Sequence, residues 1–267
     1  MYDFHLKLFE IMPEWAVLWI YPLATLSVMA VLSLIFRNFI TTERLYDNDT
    51  DVVDTATQNT LSAAYVIMGF TLVLVMGSAD TYETNAMNEG TNIESLDRSL
   101  ILDGSPQAKA MRKGLIQYST SIINDEWPKL SGGGHPATEQ LMYKFSQNLI
   151  QFQPETQQQQ ALYSEIVRKT DQVILSREIR LLNALGGLPT LFWTISYLYL
   201  FGVAIICALR LSHATPMRII ALSTQITMLS LIFSAVMIID HPYTGQTKVS
   251  TAAIAQAIKS MNALSLD

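Results

Sequence analysis

Four stretches of about twenty residues each contain no Asp, Glu, Lys or Arg: residues 15–36, 61–79, 188–209 and 219–239. A helix rises about 1.5 Å per residue, so each stretch is long enough to cross a hydrocarbon layer about 30 Å thick. Trp15, Trp19, Tyr21, Trp193, Tyr197 and Tyr199 fall mostly in the end thirds of these runs, where amphipathic rings prefer the headgroup level. The first run is longer than the apolar core of a signal peptide, and no Ala-x-Ala site follows Phe36, so it is read as a retained helix. The chain is expected to be a multipass protein of the cell membrane with the lipid bilayer as its first partner.

Composition agrees. Half of the 267 residues are hydrophobic and 15% are charged, against roughly 25% charged in soluble domains. Cys207 is the sole cysteine, which excludes a disulfide scaffold. A net charge of −6 offers no electrostatic footprint for nucleic acid.

These runs divide the chain into a first transmembrane hairpin (1–79), a segment long enough to form a domain (80–187), a second hairpin (188–240) and a C-terminal tail (241–267). Four crossings would put both termini and residues 80–187 on one side. The other side would receive only the linker 37–60 and the turn 212–216. Arg37, Arg44, Arg210 and Arg218 lie in or beside these short connections, more densely than Lys7, Arg98, Arg177, Arg180, Lys248 and Lys259 on the opposite side. The positive-inside rule by itself therefore puts the domain outside the cytoplasm.

Within 80–187 the period is helical throughout. Ala79, Tyr82, Ala86, Ile93, Leu96 and Leu100 extend the second crossing beyond the membrane until Asp103-Gly104. Ser105-Pro106 starts a helix whose apolar stripe is Ala108, Met111, Leu115, Tyr118 and Ile122, with an end expected at Trp127 because Pro128 follows. Thr138 opens a third helix and Pro154 a fourth, in which Leu162, Ile166, Val173 and Leu181 or Leu182 mark the buried face. The expected fold is all-α: four transmembrane helices and a helical extramembrane bundle between the second and third.

The residues for catalysis are missing from the pattern. His5, His135, His213 and His241 have no metal-ligand spacing, and the glycines at 132–134 lack both a preceding strand and a Gly-Lys-Ser/Thr sequel. Glu89, Glu94, Asp125 and Glu126 are read as the polar faces of helices. No enzyme activity, cofactor or metal is expected. Two polar features stand out instead. Ser223, Thr227, Ser230 and Ser234 share one face of the fourth crossing, either for close helix packing or toward a water-filled pathway. Arg177 and Arg180, just before the third crossing, are expected to pair with Asp240, just after the fourth, as a structural clamp or as the rim of an ion vestibule.

Gly69-Phe70, Glu89, Arg98, Glu126-Trp127-Pro128, Leu162-Tyr163-Ser164-Glu165, Arg177-x-x-Arg180-Leu181, Leu188-Pro189 with Trp193, and Asp240-x-Pro242-Tyr243-x-Gly245 occur in an order and spacing that resembles the bestrophin-like domain family. The resemblance runs from about Arg37 onward. It implies a likeness to bestrophins, pentameric anion channels whose second helix lines the pore and whose helical domain is cytoplasmic. It would place a constriction at Ser62, Val66 and Phe70. The sequence departs from bestrophins in the small, polar Ser62 and in lacking the Arg-Trp-Trp that follows their pore helix. Two functions are carried forward. One is a homo-oligomer with an anion pathway along the second helix, a pentamer if it follows the bestrophins. The other is a non-conducting, membrane-anchored module whose helical domain binds a partner or senses a signal.

Overall fold

The computed structural model describes residues 12–39, 47–211 and 214–264. Among these the structure is helical, without strands, and four of its helices are long and apolar enough to cross a membrane. The expected all-α membrane fold is therefore present. The helices are α1 (Glu14–Phe39), α2 (Asp47–Asp103), α3 (Pro106–Ser121), α4 (Pro136–Ile150), α5 (Gln157–Leu185), α6 (Thr190–Leu211), α7 (Pro216–Ile239) and α8 (Ala252–Ala263). The chain forms two compact units: one holds residues up to 78 together with 187–247, the other 79–186 together with 248 onward.

In the first unit α1, α6 and α7 pack against one another. Phe233 lies at the centre of an aromatic group, with ring centroids 5.1 Å from Tyr21, 5.1 Å from Tyr197 and 5.6 Å from Trp193. Small side chains let the helix backbones approach, and the Thr25 and Ser230 hydroxyls share a 2.8 Å hydrogen bond between α1 and α7. The first part of α2 joins through Leu61, Ala64, Met68 and Val75. Tyr65 also donates to the Gln225 carbonyl at 2.6 Å, and Tyr199 donates to that of Thr60 at 3.0 Å.

The linker expected over 37–60 is helical from Asp47 onward, because α2 begins there, and Arg210 forms an ion pair with Asp54. The tail expected over 241–267 is divided between the units. Its first residues are held by Glu14, whose Oε1 accepts the backbone N–H groups of Gln246 and Thr247. Residues 252–263 form α8, which packs in the second unit.

The second unit has the boundaries that local chemistry dictates. Gly104, at φ +65°, ends α2 in a conformation that a Cβ would strain. Ser105 caps α3 by accepting the Ala108 N–H at 3.1 Å, and Thr156 with Gln159 forms a capping box on α5. The helix expected to run to Trp127 changes form earlier: α3 ends at Ser121, one π-helical turn covers Ile122–Glu126, and a 3-10 segment covers Trp127–Gly132. Pro128 lacks the N–H that would continue the α ladder, so the wider turn and the tighter one adjoin at the proline.

Candidate functional site

Arg180 has no exposed surface, nor do the two carboxylates that hold it. Its Nε donates to Glu89 Oε2 at 2.6 Å, and its Nη2 donates to Glu89 Oε1 at 3.1 Å and to Glu126 Oε1 at 2.7 Å. Arg177 completes the group, with Nη2 donating to Glu126 Oε2 at 2.6 Å. The Arg180 guanidinium carbon stands 5.0 Å from the centroid of the Trp127 ring, within cation–π range. Two arginines and two glutamates balance in charge, and α2, the π turn and α5 each contribute, so the network ties three segments that are far apart in sequence.

Local structure explains the convergence. Arg177 and Arg180 are three residues apart on α5 and so share a face. Glu126 ends the π turn and has no exposed surface. Burial alone would raise its pKa, but the Arg177 hydrogen bonds, the charge and hydrogen bond of Arg180 and the His135 N–H at 3.0 Å hold the carboxyl below its usual range. Tyr118, also fully buried, has its hydroxyl pKa raised chiefly by desolvation.

The expected pairing of Asp240 with Arg177 or Arg180 is thus corrected: both guanidinium groups are taken by Glu126 and Glu89. Asp240 instead accepts the Leu188 N–H, at 2.9 and 3.1 Å to its two oxygens, and a hydrogen bond from the Trp193 side chain. It tethers the start of the third crossing to the end of the fourth. Sequence reading assigns Glu89 and Glu126 to solvated helix faces, and the structure buries both. A signal for Glu89 was present, since it lies three residues after Ala86 and four before Ile93, on the buried stripe of α2. The same signal was present for Glu126, which lies four residues after Ile122 on the stripe of Ala108, Met111, Leu115 and Tyr118.

Asp240 sets a pH dependence. Burial, opposed by the Leu188 and Trp193 hydrogen bonds, pushes its carboxyl from 3.8 up to about 6. The folded state therefore keeps this proton to higher pH than the unfolded chain does. The stability so conferred is complete below about pH 4 and is lost as pH rises through about 6. Wild-type protein in detergent is expected to lose about 2–3 kcal/mol over this interval from Asp240. Asp240→Asn should flatten that part of the thermal stability profile, and an unchanged slope would contradict the assignment.

The hydroxyl row on α7 is largely internal. Ser230 and Ser234 are fully buried; Ser230 meets Thr25, and Ser234 donates to the Ser230 carbonyl at 2.9 Å. Thr227 and Ser223 are half-buried, and Thr227 donates to the Ser223 carbonyl at 2.7 Å. At Ser230 and Ser234 the face serves helix packing. His5 and His213 lie outside the described residues. His241 is buried, with Nδ1 2.9 Å from the Met237 carbonyl.

On α2 the three residues of the expected constriction lie at four-residue steps on one face, all exposed, with Val66 at 58% and Phe70 at 74%. Val73 and Leu74 continue the row. The opposite face, through Leu61, Ala64, Met68 and Val75, is committed to the core. The row is thus the side of this crossing that the described residues leave uncovered.

A helical multipass membrane protein with a second, helical unit built around a buried arginine–glutamate network is the class that this architecture defines. The family model of the bestrophin-like domain matches residues 23–254, and the chain belongs to that family. It is also similar in fold to a membrane protein known from a crystal structure, with a TM-score of 0.62 at 10% identity, over 94% of this chain and 99% of the other. No curated protein matches the sequence.

Proposed function

We propose that the protein is a homo-oligomeric membrane channel rather than an enzyme, with an anion pathway bordered by α2 and the helical unit on the cytoplasmic side. The observation that carries this reading is the uncovered row Ser62, Val66 and Phe70 on a crossing whose other face is buried. Symmetry-related copies of such a row around an axis, five if assembly follows the bestrophins, would surround a narrow apolar passage. Bulky apolar side chains there hinder wetting and so act as a gate. Ser62 widens and wets one end, which leaves Phe70 as the main barrier. Membership in the bestrophin-like family supports this arrangement.

Halide flux through vesicles containing the purified protein tests it. Phe70→Ala is expected to raise the flux several-fold and Val66→Ala to raise it less. If neither variant changes the flux while the assembly keeps its mass, the pathway reading fails. The helical unit would then be the functional part, a membrane-anchored module that binds a partner or senses a signal.

A further inference from the structure

The second unit presents two faces of opposite charge. An open groove of about 480 Å³ between α4 and α5 is lined in part by Glu139, Met142, Tyr143, Ile174 and Glu178. Arg177 also borders it, but its guanidinium is held by Glu126, so Glu139 and Glu178 leave the groove with two carboxylates that have no ion-pair partner among the described residues. Met142 and Ile174 form an apolar floor, and Tyr143 is 64% exposed. α3, by contrast, carries Lys109, Arg112 and Lys113 and no acidic residue. Arg112 is engaged with Asp97 at 2.7 Å. Lys109 and Lys113, one turn apart and exposed, make no ion pair among the described residues. Two positive charges on one face thus match two negative charges in the groove, and the two do not pair within the chain.

We propose that the groove of one protomer receives the Lys109 and Lys113 face of α3 from a neighbouring copy. This rests on the homo-oligomer of the reading above and adds which surfaces meet in the helical unit. Lysine stems are apolar enough to lie on Met142, Ile174 and the Tyr143 ring, while their ammonium groups reach Glu139 and Glu178. Donor face and acceptor groove are different surfaces, so the contact is head to tail, and repeating it about an axis closes a ring. The charges fix register: groove against groove, or α3 against α3, would oppose like charges.

Disulfide cross-linking of the full chain in membranes tests this, with Cys207→Ser as background and cysteine introduced at Lys109 or Lys113 together with Glu139 or Glu178. The double variants are expected to give a ladder of cross-linked species up to the full ring under oxidation, and the single variants none. Cross-linked dimers from a single variant, or no ladder from any double variant, overturn the proposal. In native mass measurements Lys109→Glu with Lys113→Glu should reduce assembly at least several-fold, and adding Glu139→Lys with Glu178→Lys should restore it. An unchanged mass after the first pair, or no recovery after the second, counts against the contact. Flux is read separately: a ladder without anion flux leaves this interface standing and removes the channel, while flux without a ladder removes the interface alone.

Discussion

Replacing Arg180 with alanine is expected to destabilise the second unit by about 3–5 kcal/mol, the usual consequence of removing one partner from a buried ion pair. Both carboxylates that Arg180 holds are themselves without exposed surface. Glu126 keeps Arg177, but Glu89 has no other ion-pair partner among the described residues. In detergent the variant should therefore unfold at a clearly lower temperature than wild type. The decisive comparison is the double replacement Arg180→Met with Glu89→Leu, which removes a buried charge from each side and leaves Glu126 with Arg177. Most of the lost stability should return, because well-packed apolar groups can replace a buried ion pair at little cost. Among the described residues Arg180 Nη1 has no hydrogen-bond partner, so these residues leave part of its desolvation cost uncompensated. If the double variant is no better than Arg180→Ala, the loss is one of packing against Trp127 rather than of charge balance.

Gly90→Ala is expected to loosen the attachment of α8. A Cβ at Gly90 would lie 2.7 Å from the Ala253 carbonyl carbon, 2.8 Å from its oxygen and 2.9 Å from its Cβ. Backbone atoms cannot move aside as a flexible side chain could, so the helix as a whole must shift. Overpacking of this kind costs typically 1–3 kcal/mol and works against the apolar attachment of α8 through the buried Ile254, Ala257 and Met261. Arg112 donates to the Met261 and Leu264 carbonyls at the end of α8, and Glu83 accepts the Ser250 N–H at 3.2 Å. Limited proteolysis should cut the variant between residues 247 and 264 many times faster than wild type. Equal cleavage rates would show that α8 accommodates the methyl group.

The four crossings were legible in the sequence because a bilayer acts on each segment separately: twenty uncharged residues satisfy its length and solvation requirements whatever the rest of the chain does. The helix starts at Ser105 and Thr156 and the stop at Gly104 were set by equally local chemistry, although the capping box placed the start of α5 a few residues beyond the expected Pro154. The family resemblance was legible for a different reason, since order and spacing of short motifs survive in a linear string. The partners of Arg177 and Arg180 were decided by tertiary structure. Sequence separation favours no partner, and Glu89, Glu126 and Asp240 lie 91, 54 and 60 residues from Arg180. The selection came from a π turn that buries Glu126 and from the phase of α2, which puts Glu89 on the stripe of Ile93 and Leu96. Asp240 meanwhile found its donors in Leu188 and Trp193. Helix position and membrane length are one-dimensional properties. Which buried charge meets which depends on rotation and register in three dimensions, and that information exists only once the helices pack.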